Sequence, residues 1–197
     1  MSLNNESNDL QSSMDMTDEQ ILSLLKNETS YEKGFRTLME KYQERLYWHI
    51  RKMVYEHDDA NDVIQNTFIK VYRSIERFEG KSQLYTWLYR IATNESITFL
   101  NKKKKKQTTS IDDGETNLSN RLKADEYFDG DEIQMQLQLA LERLPEKQRM
   151  VFNMRYFDEM SYADISEVLE TSVGALKASY HHASKKIESY LKSLSEG

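Results

Sequence analysis

Apolar residues recur at three- and four-residue steps along most of the chain and almost never alternate, which is the period of helices and not of strands. Between residues 31 and 56, Phe35, Leu38, Met39, Tyr42, Leu46, Ile50, Met53 and Val54 share one helical side. The next stripe, Val63, Ile64, Thr67, Phe68, Val71, Tyr72 and Ile75, is cleaner, and Asp58 or Asp59 stands where its cap belongs. Phe78, Glu79 and Gly80 interrupt the pattern. Ser82 offers a fresh cap, and Leu84, Trp87, Leu88, Ile91 and Phe99 carry a third long helix into a run of five lysines. Ahead of these, Thr17 and Gln20 stand in capping-box relation, which predicts a short helix near 18–26.

The pattern disappears over 107–131, an acidic stretch that reads as a flexible linker. It returns with Ile133, Leu137, Ala140, Leu141 and Leu144, followed by Pro145, which the first turn of a new helix tolerates. That helix ends near Tyr156. Ser161 then caps a short helix carrying Ile165, Val168 and Leu169, and a polar break at Glu170, Thr171 and Ser172 leads to a last helix marked by Val173, Leu176, Tyr180, Ala183 and Ile187. Two helices so joined have the spacing of a helix-turn-helix, whose second helix can enter the major groove of DNA. The expected fold is therefore all-α. A disordered tail (1–17), a helical domain (18–106), an acidic linker (107–131) and a helix-turn-helix domain (132–193) follow in order.

Charge sharpens this picture. The whole chain carries −6, which taken alone argues against a polyanion partner. Its distribution reverses that impression, with −5 over residues 1–30, +6 over 31–110, −6 over 111–135 and −1 over 136–197. Hydrophobic residues make up 38% of the chain and charged ones 30%, as suits narrow apolar stripes and wide solvated faces. With no cysteine there are no disulfides or thiolate metal sites, and the N-terminus lacks the basic and apolar segments of a secretion signal. A cytoplasmic location without membrane insertion is expected.

Enzymatic chemistry finds little support. Asp58, Asp59 and Asp62 have the D-D-x-x-D spacing that binds magnesium diphosphate in helical isoprenoid synthases, but no second acidic motif faces them. His181 and His182 are adjacent, hence splayed by helical geometry and poorly placed to share a metal. Neither a nucleophile triad nor a phosphate loop is recognisable, so no catalytic residue, metal or cofactor is expected.

The residues themselves carry a resemblance. The segment DANDVIQNTFIKVYRSIERF (59–78) resembles region 2.2 of the sigma-70 superfamily, and SQLYTWLYRIATNESITFLNKKKK (82–105) resembles regions 2.3 and 2.4. LPEKQRMVFNMRYFDEMSYADISEVLETSVGALKASYHHASKKI (144–187) is similar to region 4, including its L-P-x-x-x-R opening. On this resemblance the chain is a small, two-domain sigma factor of the extracytoplasmic-function group. It would bind core RNA polymerase, recognise promoter DNA and help to melt it, reading the −10 element with region 2 and the −35 element with region 4. A helix-turn-helix regulator acting without polymerase explains only the second domain.

The resemblance implies three surfaces. Asp59, Asp62, Gln65, Asn66 and Phe68 would dock on the clamp helices of the beta-prime subunit, and region 4 on the beta flap. Phe78, Lys81, Tyr85, Trp87, Tyr89, Arg90 and Asn94 would capture the non-template strand at the −10 element, where unstacked bases need aromatic faces and nearby cations. Trp87, at helical spacing, also reads as core. Lys102, Lys103, Lys104 and Lys105 would hold phosphate there by counterion release, although lysines at a helix end equally serve the helix dipole and solubility. Thr171, Ser172, Gly174, Ala175, Lys177, Ala178, His181 and His182 would face the −35 element. The family often has Asp and Arg at the positions of Thr98 and Asn101, and arginines at those of Ser179 and His182, so the resemblance does not extend to which bases are read. With Lys177 the one fixed cation among the −35 positions, an additional DNA-bound partner or tethering by polymerase is expected to strengthen upstream binding, and an anti-sigma factor completes the expected partners. Limited proteolysis is expected to cut the chain within 107–131 and to leave two helical fragments separable by mass.

Overall fold

A computed structural model describes residues 15–107 and 132–195; the expected tail before Asp15 and all but the first residue of the expected linker lie outside the described residues. Among the described residues there are eight α-helices, one 3-10 turn and no strand. The chain divides into two compact units, Met1–Phe99 and Leu100–Gly197.

The first unit begins with α1 (Asp18–Leu25), opened by the expected capping box. Gln20 N–H donates to Thr17 Oγ1 at 3.3 Å and Thr17 N–H to Gln20 Oε1 at 2.8 Å. Ile21 and Leu25 bury themselves against α2 (Tyr31–Val54), and the carboxylate of Asp18 ties the two helices together. It accepts from Lys41 Nζ and from Tyr42 Oη, both at 2.7 Å. Burial and this carboxylate push the Tyr42 phenol's pKa far upward, so the bond persists as hydroxyl to carboxylate.

Leu38, Tyr42, Leu46, Ile50 and Met53 form the buried stripe of α2, which ends where Tyr55 turns left-handed at φ 67°. Helix α3 (His57–Ser74) follows at once. Neither Asp58 nor Asp59 is its cap, because both lie inside the first turn; the flanking residue is Glu56, whose side chain makes no capping bond. Two acids in the first turn still favour the helix by meeting the positive end of its dipole. A 3-10 turn (Ile75–Arg77) and Gly80, at φ 70°, lead to α4 (Leu84–Gln107). That helix starts beyond the expected cap, for Gln83 and not Ser82 precedes it.

Helix α4 buries Leu84, Leu88, Tyr89 and Ala92, while Trp87, Ile91 and Phe99 of the expected stripe are only half-buried. It buries hydroxyls as well. Thr93 and Ser96 donate to the carbonyls one turn back, Tyr89 O at 2.7 Å and Ala92 O at 2.8 Å, which lets polar side chains sit in a core without loss of a hydrogen bond. Thr93 Oγ1 lies 3.0 Å from Nε2 of the buried His49 on α2. Since the hydroxyl proton of Thr93 is committed to Tyr89, His49 Nε2 is the donor.

The second unit contains α5 (Glu132–Glu142), α6 (Glu146–Tyr156), α7 (Tyr162–Leu169) and α8 (Val173–Ser195). Ala140, Leu141, Leu144, Phe152, Ala183 and Ile187 form a continuous core. Pro145 stands just before α6, at φ −52°, and not within its first turn. Ser161 caps α7 as expected, accepting from Asp164 N–H at 3.1 Å. Two residues that mark the apolar pattern lie outside the core. Ile133 is 73% exposed and Val173 is exposed too, because each lies in the first turn of its helix, ahead of the buried stripe.

The approach of α1 to α2 is tightest at Gly34, where a Cβ would meet Leu24 Cβ at 2.9 Å and the Leu25 backbone nitrogen at 3.1 Å. Neither atom can rotate away. Gly34→Ala would gain about 1 kcal/mol of helix propensity, but overpacking typically costs about 1–3 kcal/mol. A net loss is expected, read as a lower thermal unfolding midpoint.

Candidate nucleic-acid interface

Helix α3 presents a polar outer side. Asp62, Gln65 and Asn66 are exposed there, together with Asp58, Ile69 and Lys70, while Val63, Ile64, Thr67 and Val71 face inward. The remaining two expected docking residues differ. Phe68 is 6% exposed and sets its ring edge-on against Phe35 at 6.5 Å, so it belongs to the core and not to the polar face. It also floors an open apolar groove of about 610 Å³ between α2 and α3, walled by Phe35, Met39, Ile64, Ile69 and Tyr72.

Asp59 is half-buried near Arg51, a buried guanidinium of α2. Burial pulls the pKa of Arg51 below its usual value, and Tyr47, Glu56 and Asp59 oppose that pull. Asp59 thus has an internal role in compensating a buried charge. The start of α3 is held by His57. Tyr47 Oη lies 2.7 Å from its Nδ1 and Asn61 Nδ2 lies 2.9 Å from its Nε2. With Asn61 donating, the ring proton sits on Nδ1 and goes to Tyr47.

Between the 3-10 turn and α4, Phe78 and Trp87 meet with ring centroids 5.3 Å apart at 51°, both half-buried. Trp87 is therefore neither fully core nor an open platform. Tyr89 is core; it is 2% exposed and packs on His49 at 4.8 Å, with Tyr85 edge-on to it at 6.4 Å. Lys81 is exposed and ion-paired with Glu79. Beyond Trp87, the residues Arg90, Asn94, Thr98, Asn101 and Lys105 follow at three- and four-residue steps, so they share one side of α4. None of them is buried. Lys102, Lys104 and Lys105 are exposed and Lys103 is half-buried; Lys104 pairs with Glu146 at 3.2 Å, an exposed bond of little strength.

In the second unit, Leu169 ends α7 and Glu170 turns left-handed at φ 50°. Ser172 then supports the start of α8, accepting from Ala175 N–H at 3.4 Å. Leu176, Ala183 and Ile187 are buried, and the opposite side is open. Ser172, Gly174, Ala175, Lys177, Ala178, His181 and His182 are all exposed, with Thr171 half-buried. The structure thus brings the −35 candidates onto one helix and its lead-in, but not onto one line. Gly174, Ala178 and His181 form the central ridge, and Lys177 lies on the flank nearest α7, where its Nζ sits 5.9 Å from the centroid of the Tyr162 ring.

One cation escaped the sequence reading. Lys185, exposed and one turn beyond His181, continues the central ridge. Counting steps of three and four from Gly174 along the predicted helix would have found it.

The profile of Sigma-70 region 2 matches residues 38–106 and that of Sigma-70 region 4 matches residues 134–187. The chain is 31% identical over 170 residues to the RNA polymerase sigma-H factor of Pseudomonas aeruginosa, covering 82% of this chain and 88% of that protein. It is 29% identical over 169 residues to the ECF RNA polymerase sigma factor SigW of Bacillus subtilis, covering 82% and 90%. The fold resembles that of a Bartonella quintana sigma factor RpoE solved with the anti-sigma factor NepR, with a TM-score of 0.66, 22% identity and coverage of 81% of this chain and 98% of that one. It also resembles CnrH solved with the cytosolic domain of CnrY, with a TM-score of 0.65, 18% identity and coverage of 88% and 95%.

Proposed function

Since the chain belongs to the sigma-70 family and to its extracytoplasmic-function group, directing promoter-specific initiation by core RNA polymerase, we propose that it divides this work among the three surfaces described above. The observation that carries the reading is the pairing of regions 2 and 4, in that order, in one chain. It acts in the cytoplasm and is not itself an enzyme, the nucleotidyl transfer being the work of the polymerase.

Asp62, Gln65 and Asn66 dock on the clamp helices, supported by their exposure on the outer side of α3. The neighbouring apolar groove adds desolvated area to that contact, and covering it is one way in which an anti-sigma factor would compete. Phe78, Trp87, Arg90 and Asn94 hold the non-template strand. Two half-buried rings offer edges and partial faces for stacking, and the polar side of α4 continues toward the lysines for phosphate contact. The outer side of α8 enters the major groove. Exposed histidines and small residues there provide shape and single hydrogen bonds rather than bidentate guanidinium contacts, so region 4 relies on tethering through the polymerase.

Run-off transcription from the chain's own genomic promoters is expected to rise when it is added to core polymerase; absence of stimulation on every template would overturn the reading. For docking, Asp62→Lys is the clean probe, since Asp59 also answers to a buried charge. Core binding measured by fluorescence anisotropy should weaken by about tenfold or more, as expected for one close charge contact across an interface, with helicity unchanged.

A further inference from the structure

Sulfur enters this chain only as thioether, because it has nine methionines and no cysteine. Among the described residues, Met53, Met154 and Met160 are buried in the two cores, where an oxidant in solution does not reach them. Met16, Met39, Met135 and Met150 are half-buried. Of these four, Met39 lines the apolar groove between α2 and α3. It shares the groove with three rings, and Phe35 stands edge-on to the other two, 6.5 Å from Phe68 and 5.0 Å from Tyr72. A flexible, polarisable thioether suits such a wall. Its oxidised form does not. A sulfoxide carries an acceptor oxygen, and in the open groove of the free chain water satisfies it. A partner that covers the groove removes that water. The cost therefore falls on the complex and spares the fold, whereas oxidation of Met53, on the same helix, would strike the core.

Resting on the reading of this groove as part of the contact with polymerase, we propose that Met39 is a reversible oxidation site through which a hydroperoxide weakens that contact. The step is an oxygen transfer. The thioether sulfur attacks the outer oxygen of the hydroperoxide, the O–O bond breaks as the S=O bond forms, and the proton of the transferred oxygen passes to the departing alkoxide. Sulfur gives up two electrons, and the hydroperoxide is reduced to an alcohol, or to water when it is hydrogen peroxide. Sulfoxide reductases reverse the change. The polar contact through Asp62, Gln65 and Asn66 is untouched, so oxidation lowers the affinity without abolishing it.

The full chain treated with hydrogen peroxide tests this, with core binding read by fluorescence anisotropy, oxidation at each methionine by peptide mass spectrometry and helicity by circular dichroism. Oxidised wild type should bind core polymerase about tenfold more weakly than untreated, as one polar group covered without a hydrogen bond costs. Met39→Leu, an apolar exchange of similar volume, should hold its own untreated affinity through the same treatment. Reductases for both sulfoxide epimers should restore the wild type. An equal loss in Met39→Leu, a loss accompanied by melted helices, or a Met39 that stays reduced while Met16, Met135 and Met150 are oxidised would overturn the proposal. Met39→Glu, which sets a charge in the groove without oxidation, separates the proposal from the reading beneath it. If this variant binds as tightly as the wild type, the groove is not covered by polymerase and that reading falls. If it binds weakly while the Met39 sulfoxide does not, the oxidation site alone falls.

Discussion

Helix α2 must satisfy three neighbours with one surface, and the first unit is arranged around that demand. A helix packed on one side needs an apolar stripe of roughly 100°. Here Gly34 and Tyr42 meet α1, Phe35 meets α3, and His49 meets α4. The buried arc is wider than the apolar residues alone can fill. Polar residues complete it on condition that their hydrogen bonds close inside the core, as those of Tyr42 with Asp18 and of His49 with Thr93 do. Because α2 turns inward in so many directions, α3 and α4 keep outer sides that the fold itself does not use. Those are sides left open to a partner.

This division explains which parts of the structure were legible in the sequence. Thr17 was a readable cap because Gln20 stands three residues on, as a capping box requires, and Ser161 because it directly precedes an apolar stripe. Asp58 and Asp59 misled for the opposite reason. An acid favours a helix start equally from the cap or from the first turn, and periodicity does not tell the two apart. Ile133 and Val173 belong to the apolar pattern and yet are exposed, because a stripe shows its period but not its first buried residue. Phe68 and Tyr89 were placed on partner surfaces by resemblance, yet an aromatic ring beside polar neighbours sits in the core when its helix is packed on that side. The buried His49, Thr93 and Ser96 could not be read at all, since their satisfaction depends on a carbonyl one turn back or on a residue 44 positions away.

The second unit follows a related logic with aromatic rings. Tyr156, Phe152, Tyr180 and Tyr162 pass contact from one to the next, from an exposed ring through the core to the flank of α8. Such a row transmits position and not charge. It means that α8 is oriented by the same residues that stabilise the unit; ahead of it Glu170 holds, with a side chain, a left-handed turn that a glycine adopts more freely.

The chain's two tryptophans give this architecture an optical consequence. Trp48, beside Tyr47, and Trp87, against Phe78, both belong to the first unit, whereas the second carries no tryptophan. Indole emission therefore reports one half of the molecule while the other stays dark. Unfolding of the two halves is spectroscopically separable without any label, and a strand laid against the ring of Trp87 would announce itself by quenching.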